Sequence, residues 1–306
     1  VIAGYTVGYI FKTLVGDTSS FEAFAANPLL SFPLFALFIV LTVLVVQGGV
    51  REGIERWSRI LMPLLLVMLL VLIIRSVTLP GAEKGLAFYL KPDFGKVDGR
   101  MILEALGQAF FSLSLGMGCM ITYGSYLSKK DNIVTSGLAV AFFDTMIAVM
   151  AGLLIFPALF AMGKSPAEGT GLVFSVLPGI FSSLPAGNVI GALFFLLLSI
   201  AALTSTISLL EVVTAWFVDE RRMLRRRAVW ITALLAFLLG IPSALSSGMV
   251  PWLERLPKLN MDFFSLMGLL FGTISLAVGA LLISLFFGWV WKMDNAAVEI
   301  DSGCPW

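Results

Sequence analysis

Gly107-Gln108-Ala109-Phe110-Phe111-Ser112-Leu113-Ser114-Leu115-Gly116-Met117-Gly118 lies within an apolar stretch, 101–127, long enough to cross a bilayer. A helix facing lipid gains nothing from two serines and a Gly-x-Gly pair at its centre. Hydrocarbon offers no partner to a freed N–H or C=O, so a weak, glycine-rich helix core makes physical sense only beside a cavity. Gly116 and Gly118 permit backbone shapes closed to other residues. A helix broken in this way is one means of building a binding site at the membrane midplane.

The rest of the chain has the composition of a polytopic, all-α membrane protein. Of its 306 residues, 59% are hydrophobic and only 13% charged, whereas a soluble domain is nearer half apolar and a quarter charged. The net charge of +1 provides no field to attract nucleic acid, and no nucleic-acid partner is expected. The absence of histidine removes the usual metal ligand and proton shuttle. Cys119 and Cys304 form neither a metal spacing nor a disulfide framework. With no nucleophile constellation or cofactor loop, an enzyme is the class with least support. A channel lacks its charged ring or filter repeat. The chain opens on Val1, already within an apolar span, and closes on Pro305-Trp306, so it reads as an internal piece of a longer protein. A non-transporting membrane protein or an inactive remnant stays open as an alternative.

Eight apolar segments are expected to span: 1–16, 28–49, 58–79, 101–127, 132–162, 187–218, 226–246 and 261–293. Pro28, Pro80-Gly81, Pro92, Pro166, Pro178-Gly179, Pro185 and Pro242 mark the expected joints. Arg51, Arg56 and Arg59, then Lys129 and Lys130, then Arg221, Arg222, Arg225, Arg226 and Arg227 fall on one side if the spans alternate. That side is the cytoplasm by the excess of Lys and Arg. Two outer loops are more than linkers. Residues 171–183 are apolar but too short to span, and are expected to form a re-entrant or capping hairpin. The segment 82–100 contains Leu90-Lys91-Pro92-Asp93-Phe94, which reads as a turn against the membrane surface, stiffened by Pro92.

Several polar residues sit where polarity is costly. Ser112 and Ser114 either bond back to carbonyls one turn earlier or face a cavity. Asp144 lies in the apolar run 138–161, where an ionisable group must pair or face a cavity. Thr204, Ser205 and Thr206 are consecutive in helix 187–218 and point about 100° apart, so they cannot all serve one face. Ser205 and Leu209, four residues apart, do share a face. Glu211 is also well inside a span, and an interhelical or water-lined position is expected for it.

Together these motifs resemble the neurotransmitter:sodium symporter family, most closely its bacterial amino-acid transporters. Gly107 to Tyr126 is similar to the family's sixth helix. Gly53-Ile54-Glu55-Arg56 and Met62-Pro63 resemble the entry to the fifth, and Leu177-Pro178-x-Ile180-Phe181 the extracellular cap loop. Ala202-Leu203-Thr204-Ser205-Thr206 resembles the eighth helix and Met261-Asp262-Phe263 the start of the tenth. The resemblance implies a five-helix inverted-repeat transporter fold with broken helices, here incomplete, over one transmembrane domain, 1–306. It implies sodium-coupled symport of an amino acid by alternating access, in a bacterial plasma membrane and in contact with its lipid. Phe111, Ser112, Ser114, Met117, Ser205 and Leu209 would border the substrate. Two sodium ions are expected, one at Ser112 and Asp144, the other at the Ala201 carbonyl, Thr204 and Ser205. Gln108 and Asp262 would belong to the outer gate, Tyr126 and Asp219 to the inner one. Met117 and Leu209 suggest a hydrophobic or aromatic side chain on the substrate. Chloride-dependent members carry Ser one turn after Asp144, where this chain has Ala148, so chloride is not expected.

Overall fold

The computed structural model describes residues 1–306 except 18, 49, 129, 130, 165, 167–171, 183 and 304–306, and without the side chains of 50–61 and 302–303. Lys129, Lys130, Cys304, the side chains of Arg51, Arg56 and Arg59, the Gly53–Arg56 motif side chains, and both ends of the 171–183 segment thus lie outside the described residues. The secondary structure of the described residues is helical. The helices are α1 (Ile2–Val15), α2 (Phe21–Ala25), α3 (Pro28–Gln47), α4 (Val50–Val77), α5 (Ala82–Leu90), α6 (Gly99–Ser112), α7 (Cys119–Gly124) and α8 (Ile133–Ala161), followed by α9 (Leu172–Ser182), α10 (Gly187–Asp219), α11 (Arg225–Leu245) and α12 (Pro251–Glu254). The last two are α13 (Phe263–Trp291) and α14 (Met293–Gly303). α13 passes through two π-helical stretches, Gly268–Ile274 and Phe286–Trp291.

Among the described residues five helices are long and apolar enough to span: α3, α8, α10, α11 and α13. The other expected spans are shorter or interrupted. α1 is a 14-residue apolar helix. Residues 62–77 of α4 and α5 form a pair bent by 116°. The bend falls at Pro80-Gly81, where Gly81 takes φ 88°, a left-handed conformation that costs glycine little. Segment 101–127 is divided between α6 and α7.

Four expectations change. Residues 82–90, expected as part of an outer loop, are a helix; it ends before Pro92, and Phe94–Lys96 makes a tight turn, capped by Asp93 on the Gly95 N–H at 3.2 Å. The 172–182 segment is a single helix rather than a hairpin. Pro178 and Pro242 lie inside α9 and α11 rather than at joints. In membrane helices proline is tolerated because neighbouring groups and local adjustments re-satisfy the backbone; in the turn before Pro178, Lys164 Nζ donates to the Ser175 carbonyl, 2.9 Å away.

The chain folds as two compact units, 1–92 with 149–264, and 93–148 with 265–306. The first is built on small and hydroxylated residues that let helices approach. A Cβ on Gly4 would sit 2.9 Å from the Leu34 carbonyl, so α1 and α3 cross with their backbones nearly touching. Ser76 Oγ donates to the Leu154 carbonyl at 2.6 Å, and Ser199 Oγ to Thr6 Oγ1 at 2.7 Å. The core beside these contacts is aromatic. Tyr5, Tyr9, Phe24, Phe174, Phe181 and Phe195 are buried together, and α9 contributes Val176, Leu177 and Ile180 to the same cluster. The second unit packs α6 against α13.

The expectation for Glu211 resolves into an ion pair. Glu211 is 1% exposed and meets Arg225 through two bonds, Nη1–Oε1 at 3.0 Å and Nη2–Oε2 at 2.6 Å. The same guanidinium donates to the Val46 carbonyl at the end of α3, from Nε at 3.2 Å and Nη2 at 3.0 Å. Arg225, read from sequence as part of a topology signal, therefore ties α3, α10 and α11 together. Glu211→Ala leaves the guanidinium on the Val46 carbonyl but without its counter-ion and should cost about 3 kcal/mol, the lower end for a broken buried pair because the arginine is partly solvated. The check is a lower melting temperature in detergent, partly restored by Glu211→Leu combined with Arg225→Met.

Candidate functional site

In the second unit, α6 begins where Asp98 Oδ1 accepts the Met101 N–H at 2.7 Å and ends in a hydrogen-bonded cap. The Leu115 N–H reaches back to the Phe110 carbonyl at 2.8 Å, and the Ser114 N–H to the Phe111 carbonyl at 3.1 Å. This is the Schellman pattern, which places its C′ residue in the left-handed region. Here that residue is Ser114, at φ 56°. A serine there stores about 1–2 kcal/mol that glycine would not, and strain of this kind gathers at functional sites. Gly116 and Gly118 follow at φ 77° and 84°, and α7 resumes at Cys119. The break expected from the sequence is thus realised over 113–118.

The unwound stretch is seated on α13. A Cβ on Gly116 would collide with the Leu276 carbonyl, and one on Gly279 with the Gly116 carbonyl. Only two glycines allow this backbone-on-backbone contact. On the other flank, Ser112 Oγ donates to Asp144 Oδ2 at 2.8 Å. The carboxylate that the sequence singled out in α8 is thereby joined to the last turn of α6. Ser114, Gly116 and Gly118 border a cavity of about 360 Å³ with Ala280, Ile283 and Ser284. Phe111, Ser112 and Met117 do not border it, so Ser112 and Ser114 face different surroundings. Phe111 is exposed and Met117 partly buried.

In the first unit the three hydroxyls of α10 divide as their spacing requires. Thr204 Oγ1 and Ser205 Oγ both turn back to the Ala201 carbonyl, at 2.8 and 3.4 Å. Thr206 Oγ1 turns back to the Leu203 carbonyl at 3.0 Å and also lies 3.0 Å from Thr42 Oγ1 of α3. The oxygens of Ala201, Thr204 and Ser205 are gathered at one point, and hard cations favour such oxygens; an ion there would replace the hydroxyl protons that the Ala201 carbonyl accepts in this arrangement. Ser205 and Leu209 are both exposed on the same face of α10.

Of the expected gate residues, Gln108 is exposed on α6, and Tyr126 lies just past α7 with its N–H on the Tyr123 carbonyl at 3.0 Å. Asp219 is the exposed last residue of α10, and Asp262 is partly buried just before α13. Sequence reasoning missed Thr42 as the partner of Thr206, Arg225 as the partner of Glu211, and the α13 face that receives the unwound stretch. The run Gly279-Ala280 with Ser284 was a signal for the last, since small residues mark close helix contacts.

The family model of the sodium:neurotransmitter symporters matches residues 17–299. The chain belongs to that family of integral membrane transporters. It is 40% identical over 312 residues to an uncharacterized sodium-dependent transporter, YhdH, of Bacillus subtilis, an alignment covering 99% of this chain and 68% of the relative. A second uncharacterized sodium-dependent transporter, from Haemophilus influenzae, is 42% identical over 267 residues, covering 87% of this chain and 58% of that protein. The crystal structure of MhsT in complex with L-phenylalanine matches with a TM-score of 0.92 and 44% identity, over 98% of this chain and 70% of that one. The chain therefore spans roughly three fifths to two thirds of these bacterial relatives. Its fold is that transporter fold, with a broken sixth helix.

Two substitutions with opposite signs test the geometry. Ser114→Gly should stabilise the protein by about 1 kcal/mol by relieving the left-handed serine. Gly116→Ala should destabilise it, because the methyl group meets the α13 backbone. Thermal unfolding of both variants in detergent reads the difference; equal shifts would mean that the 113–118 stretch is not seated as described.

Proposed function

We propose that the protein, in complete form, carries out sodium-coupled symport of a hydrophobic or aromatic amino acid by alternating access, as one transmembrane transporter domain. The observation that carries this reading is the Ser112 Oγ–Asp144 Oδ2 bond beside a helix unwound at 113–118. A carboxylate and a hydroxyl next to freed backbone groups form a donor set for a small hard cation and for the polar ends of an amino acid. Ser112 and Asp144 bind the first sodium ion. The Ala201 carbonyl, Thr204 and Ser205 bind the second. Phe111, Ser112, Ser114, Met117, Ser205 and Leu209 contact the substrate, and the phenylalanine held by MhsT supports an aromatic one. Gln108 and Asp262 act at the outer gate, Tyr126 and Asp219 at the inner one.

Mechanistically, sodium and substrate share ligands, so each raises the other's affinity, and their joint binding favours the occluded state over open ones. Opening of the inner gate then releases both. Asp144 supplies fixed negative charge near the first ion, which removes the need for a bound anion, and Ala148 offers no hydroxyl for one.

Two measurements on the complete protein in proteoliposomes test this. Ser205→Ala should lower sodium affinity and phenylalanine uptake together, by about tenfold, the loss expected for one ligand to a charged group. Sodium activation unchanged in this variant would overturn the shared ligand. Replacing chloride with gluconate should leave uptake within about twofold, whereas a collapse would overturn the role given to Asp144.

A further inference from the structure

The chain between α11 and α13 is closed on itself at its base. α11 starts at Arg225-Arg226-Arg227, on the side predicted to be cytoplasmic, so its far end lies on the outer side. It ends at Ser246, which is 3% exposed and sends its hydroxyl proton to the Ser243 carbonyl at 2.9 Å. The lone pairs of Oγ remain as acceptors, and the Phe264 N–H reaches them at 3.2 Å, across 18 residues of chain. Phe264 is the second residue of α13. The first four N–H groups of a helix have no partner within it, and one at the second or third position is ordinarily met by the side chain just before the helix. For Phe264 the acceptor comes from another helix.

The end of α11 is itself held. The Tyr5 hydroxyl, on a residue 1% exposed, donates to Ser247 Oγ at 3.4 Å. Gly248 turns the chain at φ 91°, where a Cβ would stand 3.1 Å from the Ala26 methyl group. Further on, the Leu256 N–H meets the Met261 carbonyl at 3.0 Å and closes the neck of the loop. Inside that closure Lys258 and Asn260 sit at φ 75° and 51°. Left-handed residues other than glycine persist only where their surroundings hold them. Asp262 follows Met261 directly and precedes Phe264 by two residues, so it stands between the two closures.

We propose that Ser246 is the positioning residue of the outer gate. Its hydroxyl fixes the first turn of α13 against the end of α11 and so sets where the Asp262 carboxylate stands. The proposal rests on the gate role given to Asp262 above. A carboxylate that must meet an opposite charge on closing has to be held to within about 0.5 Å, and hydrogen bonds from behind the site do this. With the Phe264 N–H unmet, the first turn would fray as helix ends do, and the carboxylate would move with it. Ser247, one residue on, is tied to α1 and has no part in this.

The test uses the full-length protein carrying this chain, purified in detergent with sodium. Hydrogen exchange read by mass spectrometry follows the tie itself. Ser246→Ala should speed exchange at the start of α13 about tenfold. Ser246→Thr, which keeps the hydroxyl, should restore protection, and Ser247→Ala should leave that segment as in the parent. Release of bound radiolabelled L-phenylalanine follows the role. Ser246→Ala should speed it about fivefold, the equivalent of one neutral hydrogen bond. Made on top of Asp262→Asn, the same change should add nothing, because the carboxylate that it positions is gone. Melting temperatures close to that of the parent show that the variants are folded. Unchanged exchange in folded Ser246→Ala overturns the proposal. So does an effect on release that persists in full beside Asp262→Asn, the mark of a merely structural serine. Asp262→Asn active on release with Ser246→Ala silent refutes this proposal alone. Asp262→Asn without effect refutes the gate reading, and a parent that binds no phenylalanine in sodium refutes the symport reading; in either case the positioning role falls with it.

Discussion

Backbone groups released inside a membrane must find new partners, and the arrangement of the second unit follows from that constraint. Residues 113–118 leave the helix, yet their ends are not left open. The Leu115 and Ser114 N–H groups close the last turn of α6, and α7 starts again at Cys119. Between those caps, the stretch lies on α13 with Gly116 against Gly279 and no side chain between. Ser112 then places its hydroxyl 2.8 Å from Asp144, closer than its own-helix Ala109 carbonyl at 3.5 Å. Each of these contacts makes the next possible: the caps permit the break, the glycines support it, and the break leaves Ser112 and Asp144 facing one another. In lipid, where each orphaned group costs several kcal/mol, such a chain is accepted complete or not at all.

The first unit answers a different demand. Helices in hydrocarbon have no hydrophobic force to press them together, so contact depends on close packing and on a few polar ties. Gly4 on Leu34, Ser76 on Leu154, Ser199 on Thr6 and Thr42 on Thr206 supply those ties. α9 rests on the aromatic cluster as a short lid of its own, anchored by Leu177, Ile180 and Phe181, none more than 1% exposed. The Ala201–Thr204–Ser205 oxygens are thus carried on α10, a helix held on several sides by packing.

Much of this was legible from residue types alone. Gly116, Gly118 and the two serines announced the break, because no lipid-facing helix needs them. Asp144 announced a partner, because a lone carboxylate in an apolar run is costly. The spacing of Thr204, Ser205 and Thr206 foretold that one would part from the others. What escaped depended on tertiary contact or on proline's tolerance in membranes. Pro178 and Pro242 read as joints because proline breaks soluble helices, yet both lie inside helices here, as proline is tolerated in membrane helices. Residues 82–90 read as part of a loop between Gly81 and Pro92, whereas nine residues suffice for a short helix once Gly81 turns the corner. Arg225 could not be told from its basic neighbours, since nothing in Arg221–Arg227 marks which guanidinium turns inward.

The Glu211–Arg225 pair has a consequence for biogenesis. Either residue alone would resist entry into the bilayer by about 2.5–3.5 kcal/mol near its centre. They are only 14 residues apart, on either side of the α10–α11 turn, so each can neutralise the other as soon as that hairpin leaves the ribosome. Their third partner, the Val46 carbonyl, lies 179 residues earlier and is already in place. The two charges can therefore enter the membrane cancelled, in a hairpin that carries its own docking point for α3, which makes the order of synthesis part of the information that assembles the unit.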